Sequence, residues 1–310
     1  MVETNPRERK FRFGVLANGD PEGTAQQWKD LARRAEDSGC STVLVGDHYL
    51  TPLAATARLA MAAAVTTTLR LGSYVYCNDF RHPALLAKEA AELDRLSDGR
   101  LELGLGAGWL RAEYDMVGLP FDQGRVRADR FQEAVGLIRR LLAGETITHH
   151  GDHYVLEDYE PAALPVQHPV PMLLGGGGPR MTRFAARHAD IIGFDPMSLP
   201  TGGKDEREFG HQPFEAKLAL LDDATAARED GGPERSILIF DVARHVDELP
   251  EDAWTGQEVA PDSPYALIGE TSAIVETLLE RRHRWGLTYY VFADEDFEVL
   301  QPVAAALADS

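Results

Sequence analysis

The sequence predicts an α/β protein, a single (β/α)8 TIM barrel with insertions after strands 4, 6 and 7. Short apolar segments rich in β-branched residues alternate with amphipathic helical segments, and the alternation occurs eight times. Continuous apolar strands between helices indicate a parallel sheet covered by helices, and eight such units close into a barrel. Because 310 residues suffice for one barrel with insertions, we expect one domain over residues 1–310.

Each predicted element follows from its own pattern. The strands are expected at residues 11–17, 41–49, 69–77, 100–106, 171–175, 190–194, 236–242 and 288–294. The helices are expected at residues 24–39, 54–65, 83–97, 128–144, 180–189, 213–229 and 272–286, with a last helix from Phe297. In the first helix, Trp28, Leu31, Ala32 and Ala35 form an apolar stripe between a Thr24 cap and a Gly39 stop.

Three long insertions follow strands, at residues 107–126, 195–212 and 249–269. The loops after the strands build the active site in such barrels, so these insertions are expected to frame a substrate pocket. Residues 145–159 predict a β-hairpin that turns at Gly151–Asp152. Because it follows a helix, it is expected at the opposite, N-terminal end of the barrel unless it folds over.

Composition excludes several classes of partner. The formal net charge of −19 argues against binding to nucleic acid or to an anionic membrane. Cys40 and Cys77 form no C-x-x-C pair, so neither a zinc site nor a disulfide framework is predicted. The apolar runs are too short for a signal peptide or a membrane span, and a cytoplasmic location is expected.

Two glycine-rich turns follow predicted strands. Gly175–Gly178 precede Pro179 at a helix start, where they would form either a tight turn that needs left-handed backbone or a backbone surface that binds an anion. The run fits neither a P-loop nor the dinucleotide fingerprint, whose third glycine is replaced by Arg180. The turn "GLGAGW" (104–109) is either structural or a place where a planar ligand or a neighbouring loop approaches the backbone.

Histidines supply the other candidate chemistry. Asp47 and His48 end the second strand, and adjacent strand residues point to opposite faces. A histidine at the barrel mouth transfers protons near neutral pH, although a buried structural histidine is an open alternative. His149, His150 and His153 in the hairpin have no carboxylates at suggestive spacing, so no metal site is predicted.

Four segments carry a resemblance to a known family. They are "AEDSGCSTVLVGDHY", "LRLGSYVYCNDFRHPALLAKEAAELDRLSDGRLELGLGAGW", "VPMLLGGGGPRMTRFAARHADIIGF" and "LIGETSAIVETLLERRHRWG". Together they resemble the bacterial luciferase-like superfamily, which contains luciferase-like monooxygenases and coenzyme F420-dependent oxidoreductases. The resemblance covers almost the whole chain, which looks most like actinobacterial members assigned to F420, a deazaflavin.

The resemblance implies a cofactor site. Gly175, Gly176, Gly177 and Gly178 match the segment that holds the phosphate side of the cofactor tail. Tyr74 and Val75 match a bulge against the central ring, often with a non-prolyl cis peptide, and Ala107 is also expected at the cofactor.

The resemblance also implies a reactive centre. Asp47 and His48 match a pair near the ring, where His48 is the candidate catalytic proton donor or acceptor. Trp109 stands where some deazaflavin dehydrogenases carry a carboxylate, so their sugar oxidation is not implied. Glu113, one helical turn further, is the candidate carboxylate of the substrate pocket.

The predicted function is therefore F420-dependent hydride transfer to or from a small organic substrate. The alternative is an FMN-dependent monooxygenase that receives reduced flavin from a partner reductase. Both cofactors share a tricyclic ring and a ribityl phosphate, so the glycine run does not separate them. A metal-dependent barrel hydrolase and a non-catalytic flavin-binding barrel are the other classes. A flavin or F420 reductase and a second copy of the chain are candidate partners.

Overall fold

A closed barrel of parallel strands forms the centre of the protein, seen in a computed structural model that describes residues 6–17 and 23–307. The strands are β1 (Arg12–Ala17), β2 (Thr42–Val45), β3 (Arg70–Ser73), β4 (Tyr76–Cys77), β5 (Leu101–Gly106), β6 (Ile147–His150), β7 (Val155–Tyr159), β8 (Met172–Gly175), β9 (Ile191–Phe194), β10 (Glu234–Leu238), β11 (Asp241–Ala243), β12 (Ala266–Ile268) and β13 (Leu287–Ala293). The barrel order is β3-β2-β1-β13-β10-β9-β8-β5, and pairing of β5 with β3 closes it. The predicted TIM barrel is confirmed.

One barrel strand is interrupted. The third predicted strand consists of β3 and β4, separated by a cis peptide bond between Tyr74 and Val75. Both halves pair with β5, so the chain bulges at Tyr74–Val75 and then rejoins the sheet. The bulge and its non-prolyl cis bond match the prediction.

Helices surround the barrel. They are α1 (Ala25–Asp37), α2 (Ala55–Ala63), α3 (Pro83–Leu96), α4 (Arg111–Val117), α5 (Gly124–Leu142), α6 (Pro179–His188), α7 (His211–Thr225), α8 (Gly256–Val259), α9 (Thr271–Trp285) and α10 (Phe297–Leu307). The start of α1 follows its sequence signal, because the Thr24 side chain accepts a hydrogen bond from the Gln27 N–H. Gly39 has a φ of 80° just after this helix, as a C-terminal stop requires.

Two apolar layers hold the fold together. The barrel interior is filled by a small cluster that includes Leu44, Leu173 and Tyr289. A larger core, which includes Phe131 and Phe292, lies between the strands and the helices. Burial of these side chains supplies most of the driving force for folding.

The insertions form their own small elements, which the sequence analysis missed. Helix α4 lies in the insertion after β5. The predicted seventh strand, 236–242, is wrong as one element: β10 ends at Leu238, and β11 leaves the barrel to pair with β12. The apolar pattern continued across the break because β11 is buried in a satellite core of its own, which includes Ala243 and Leu249.

The predicted hairpin is present as the antiparallel pair β6–β7, with a turn closed by the Gly151 N–H and the Tyr154 carbonyl. It folds over. Its turn contacts α5 through Glu133, and the Tyr154 hydroxyl accepts a hydrogen bond from Asn78 at 3.0 Å. Because Asn78 directly follows β4, the hairpin reaches toward the C-terminal end of the barrel.

Within residues 6–17 and 23–307, every helix is too short or too polar to cross a bilayer. The expected domain, 1–310, includes residues 1–5, 18–22 and 308–310, which lie outside the described part of the chain.

Candidate functional site

A cavity of about 520 Å³ opens at the C-terminal end of the barrel. The residues that the family resemblance implied for the cofactor site and the reactive centre all line it: Asp47, His48, Tyr74, Val75, Ala107, Trp109, Glu113, Gly175, Gly176, Gly177 and Gly178. They come from the ends of β2, the β3–β4 bulge, β5 with its insertion, and β8. Parallel barrel strands end at one face, so residues far apart in sequence meet there.

His48 contacts a buried carboxylate. Its Nδ1 lies 3.0 Å from Oε2 and 3.1 Å from Oε1 of Glu113, in the first turn of α4. The Glu113 side chain retains 3% of its exposure, whereas His48 retains 32%. An ionised carboxylate only accepts hydrogen bonds, so Nδ1 carries the proton toward Glu113. Nε2 is then the ring nitrogen left to exchange a proton with a ligand.

Asp47 is engaged with its own protein. Its carboxylate forms an ion pair with Arg81, and its Oδ2 accepts a hydrogen bond from the Cys77 N–H at 3.0 Å. These contacts link the end of β2 to the segment that follows the bulge. Asp47 therefore borders the cavity with its charge already balanced by Arg81.

The Tyr74–Val75 bulge explains the glycines of the "GLGAGW" turn. A Cβ on Gly106 would lie 2.6 Å from Val75 Cγ2, and one on Gly104 would lie 1.9 Å from the Ser73 carbonyl oxygen. A Cβ on Gly108, which has a φ of 78°, would lie 1.9 Å from the Tyr114 hydroxyl. Of the alternatives for this turn, close approach of neighbouring protein segments is the one observed.

The glycine run has no left-handed residue, because none of Gly175–Gly178 has a positive φ. The tight-turn interpretation is therefore wrong. A Cβ on Gly176 would lie 2.7 Å from Met181 Cβ, and one on Gly177 would lie 2.7 Å from the Met197 nitrogen. At Gly178, by contrast, a Cβ would have no atom within 4 Å.

The run ends at the start of α6, with Gly178 as N-cap and Pro179 at the first helical position. A glycine cap has no side chain, so the N–H groups of this first turn receive no side-chain hydrogen bond. They face a position where the helix dipole favours negative charge. Arg180 is directed elsewhere, because it forms an ion pair with Asp129 on α5.

Trp109 lies between His48 and a lysine that the sequence analysis missed. The Trp109 and His48 rings are 6.2 Å apart, edge to face, and Lys204 Nζ lies 4.5 Å from the centre of the Trp109 ring. Lys204 also forms an ion pair with Asp195, and both line the cavity. Its position in the insertion after the sixth predicted strand was the one feature of the sequence that could have identified Lys204 as a residue of the cavity.

The segment 195–205, called the Lys204 loop below, forms a narrow turn. The Asp205 N–H donates to the Met197 carbonyl at 2.8 Å, and the Leu199 N–H donates to the Gly203 carbonyl at 2.9 Å. A Cβ on Gly202, whose φ is 87°, would lie 2.9 Å from the Arg111 nitrogen. The loop thus rests directly on the start of α4.

Arg127 is a second cation that the sequence analysis missed. Its guanidinium lies 4.0 Å from the centre of the Phe121 ring and donates to the Asp122 carbonyl. The residue is 8% exposed, yet its Nε has no hydrogen-bond partner among the described residues. Because this Nε has almost no accessible surface, a ligand in the cavity would interact with the positive charge of Arg127 and not with the Nε itself.

Two other groups are not candidates for chemistry. Burial raises the pKa of the cavity-lining Cys77 thiol to about 12, so it is not a nucleophile near neutral pH.

The hairpin histidines do have carboxylate neighbours, contrary to expectation, because His149 contacts Glu133 and His150 contacts Glu157. In the described ranges, no three His, Cys, Asp or Glu side chains are grouped to hold a metal ion.

Comparisons with known proteins agree with the predicted family. The family described as luciferase-like monooxygenase matches residues 11–227. An F420-dependent glucose-6-phosphate dehydrogenase from Kineococcus radiotolerans is 33% identical, covering 94% of this chain and 93% of the relative.

Solved structures share the fold. The F420-dependent tetrahydromethanopterin reductase from Methanopyrus kandleri has a TM-score of 0.75 at 19% identity, covering 96% of this chain and 98% of the other. An EDTA monooxygenase from Chelativorans sp. BNC1 has a TM-score of 0.77 at 13% identity, covering 97% and 94%. On the family match and the sequence identity, this chain belongs to the luciferase-like monooxygenase family.

Proposed function

We propose that this protein is an oxidoreductase that transfers a hydride between coenzyme F420 and a small organic substrate, with His48 moving the accompanying proton. The observation that carries the proposal is the His48–Glu113 pair, which faces the same cavity as the Tyr74–Val75 bulge and the glycine run. The names of sequence relatives that cover most of this chain support F420 as the cofactor.

The residues present fit such a cofactor. A cavity of about 520 Å³ is within the usual range for small-molecule sites. The uncapped start of α6, the open face of Gly178 and the positive charge of Arg127 suit the phosphate of the cofactor tail. Val75 and Ala107 would border the ring, which supplies the hydride donor or acceptor when bound.

The proton is handled by the chain itself. Glu113 holds the proton of His48 on Nδ1 and fixes the ring, so Nε2 is directed to ligands in the cavity. In the oxidative direction, Nε2 accepts the proton of a substrate hydroxyl; in the reductive direction, it donates a proton to the carbonyl oxygen. Glu113 is thus a positioning residue, and His48 is the residue proposed to contact the substrate.

The expected setting follows from this reaction. We propose that the enzyme acts in the cytoplasm on a small molecule, and that a separate reductase supplies reduced cofactor when the reaction runs toward the alcohol. A homodimer stays a prediction, which size-exclusion chromatography with light scattering would check. FMN stays the alternative cofactor, since several structures of the same fold are monooxygenases.

Fluorescence titration of the purified protein with F420 and with FMN tests the proposal. We expect F420 to bind more tightly than FMN, and Gly178→Val to weaken F420 binding by at least about tenfold, because the side chain would fill the open face of the phosphate site.

Gly136→Val is the matched control, because Gly136 lies on α5 with open space around it. Tighter binding of FMN, together with oxygen consumption when reduced FMN and substrate are supplied, would replace the proposal with a monooxygenase. Unchanged F420 binding by folded Gly178→Val would remove the glycine run from the cofactor site.

A further inference from the structure

We infer that the substrate is an uncharged alcohol with an apolar body, or the corresponding carbonyl compound, and not a sugar phosphate. The inference rests on the proposed function and concerns the part of the cavity beside His48 and Trp109. In the oxidative direction, the substrate carbon would lose a hydride to oxidised F420 and its hydroxyl proton would pass to His48 Nε2, so that a carbonyl group replaces the alcohol.

The cation beside Trp109 is not available to a substrate anion. Lys204 Nζ pairs with the Asp195 carboxylate and lies over the face of Trp109, and the Lys204 side chain retains only 5% of its exposure. The Lys204 loop also rests on the start of α4 at Gly202, two residues before the lysine. A phosphate would have to compete with the half-buried Asp195 carboxylate for the buried Lys204 ammonium, and Asp195 would then lose its paired cation.

The other nearby cations are also engaged. Lys217 bonds to the Asp195 carbonyl at 2.9 Å and to Glu208 at 2.8 Å. Arg127 lies in the first turn of α5, two residues after Arg125, whose carbonyl accepts a hydrogen bond from Arg180 of α6. We therefore assign Arg127 to the side of the cavity where α5 meets the glycine-run helix, which is the phosphate end of the cofactor site proposed above.

The balance of charge around the cavity is negative. Four carboxylates line it, those of Asp47, Glu113, Asp195 and Glu295, against the two permanent cations Arg127 and Lys204. Arg81 neutralises Asp47 from behind. The undescribed segments 1–5, 18–22 and 308–310 contain no lysine or arginine that would change this balance. A phosphate dianion placed beside His48 would be repelled by this field.

Apolar side chains line much of the cavity, and one of them, Trp109, lies beside His48. Phe80, Trp109, Met197, Phe240 and Trp254 line the cavity, and Trp254 is 50% exposed at the mouth. Aromatic side chains of this kind contact the rings and hydrocarbon parts of ligands and gain free energy as water is removed. The combination of one proton-transferring group, paired charges and aromatic walls suits a neutral molecule with one hydroxyl or carbonyl group.

Isothermal titration calorimetry of the purified protein loaded with oxidised F420 tests this inference, because the cofactor then fills the phosphate end of its own site. The ligands are acetophenone, glucose and glucose 6-phosphate, so glucose separates the effect of the sugar from that of the charge. We expect acetophenone to bind, glucose to bind more weakly, and glucose 6-phosphate to bind at least about 100-fold more weakly than acetophenone. Glucose 6-phosphate binding as tightly as acetophenone, or no binding of acetophenone, would overturn the inference.

Asp195→Asn sharpens the test because it removes the partner of Lys204. We expect this variant to bind glucose 6-phosphate at least about tenfold more tightly than the natural protein does. Asp223→Asn, an exposed change of the same kind on α7, is the matched control and should leave the affinity unaltered. Equal affinity in Asp195→Asn and the natural protein would contradict the role given to the Lys204–Asp195 pair. Failure of F420 to bind, which is measured first when the protein is loaded, would instead contradict the proposed function.

Discussion

The two ends of the barrel use charged residues in different ways. At the N-terminal end, Arg12 forms ion pairs with Glu102 and Glu234, and Glu102 also accepts hydrogen bonds from Arg70 and Tyr289. At the C-terminal end, the His48–Glu113 pair opens onto a cavity. One end is closed by groups that satisfy one another, and the other leaves polar atoms directed at a ligand.

The electrostatics of the closed end reflect this mutual pairing. Burial alone lowers the pKa of Arg12, but Glu102 and Glu234 raise it well above the value of a free arginine. The guanidinium also lies 4.2 Å from the centre of the Tyr289 ring. The comparison shows that charged residues stabilise the fold where every charge is paired within the protein. The same residue types are available for catalysis where a polar atom is left to contact a ligand, and the two ends of such barrels generally divide these roles.

The largest effect should come from the open end. His48→Ala removes the proposed proton carrier and should lower kcat by about 100- to 10,000-fold, the range typical of general acid–base groups. The circular dichroism spectrum, the melting temperature and F420 affinity should change little. Near-full turnover would make His48 a structural residue.

Glu113→Gln is the companion variant, because it keeps a hydrogen-bond acceptor for Nδ1 but removes the charge. A positioning role predicts a fall in kcat that is smaller than that of His48→Ala, with KM nearly unchanged. An equal loss of cofactor and substrate affinity would instead indicate collapse of the cavity wall.

The closed end should show the reverse behaviour. Arg12→Met removes the cation between Glu102 and Glu234 and should lower the free energy of unfolding by about 3 kcal/mol, the lower part of the range for a broken buried pair, because Arg70 and Tyr289 still bond to Glu102. Urea denaturation measures the loss, and kcat of the folded variant should stay within about twofold. A large loss of turnover in Arg12→Met without a loss of stability would contradict the structural role given to the N-terminal end of the barrel.

The sequence predicted the open end better than the closed one. Strand endings and glycines mark the C-terminal face, because βα loops there need special backbone and carry reactive side chains. The ion pairs of Arg12 join residues 90 and 222 positions apart, and periodicity contains no information on such contacts. Glu113 was predicted as a carboxylate near the pocket, but its contact with His48, 65 positions away, required the folded chain.

The errors share one physical cause. A local sequence pattern predicts that a residue is buried, but it does not predict which other residues it packs against. The stretch 237–240 is apolar across the break, yet β10 and β11 belong to different sheets. Likewise, Gly176 and Gly177 are glycines because Met181 and Met197 approach them, while Gly178 alone is open toward a ligand. Substitution at Gly178 is therefore the clean test of cofactor binding, since valine at Gly177 would clash with protein backbone.

Two carboxylates, one at each end of the barrel, test the same difference between the two ends, with smaller expected effects. Asp296 follows β13 at the open end, where burial and the nearby Glu295, Asp241 and Asp294 carboxylates raise its pKa to about 7. The folded state therefore holds this proton more tightly than the unfolded state, and the stability contribution of Asp296 falls as pH rises from about 4 to 7. Asp296→Asn should raise the free energy of unfolding by about 2 kcal/mol at pH 8 and by much less at pH 4. Equal gains at both pH values would show that charge is not the cause.

Glu36 lies at the closed end and should behave oppositely. Burial raises the pKa of Glu36, but backbone hydrogen bonds from Thr68, Leu69 and Thr67, just before β3, lower it to a net value of about 2. A depressed pKa means that the ionised carboxylate stabilises the fold above its ordinary pKa, and that this stabilisation is lost as pH falls from about 5 to 2.

Glu36→Gln keeps an acceptor oxygen but removes the charge, so it should lower the free energy of unfolding by about 1 kcal/mol at pH 7. Near pH 2 the variant and the natural protein should nearly converge, because about half of the natural carboxylate is protonated in the folded state and most of its stabilisation is lost. Urea denaturation across this range measures the difference, with Glu229→Gln as an exposed control of the same charge change. A deficit that persists unchanged at pH 2 would mean that shape at this corner, and not charge, stabilises the closed end.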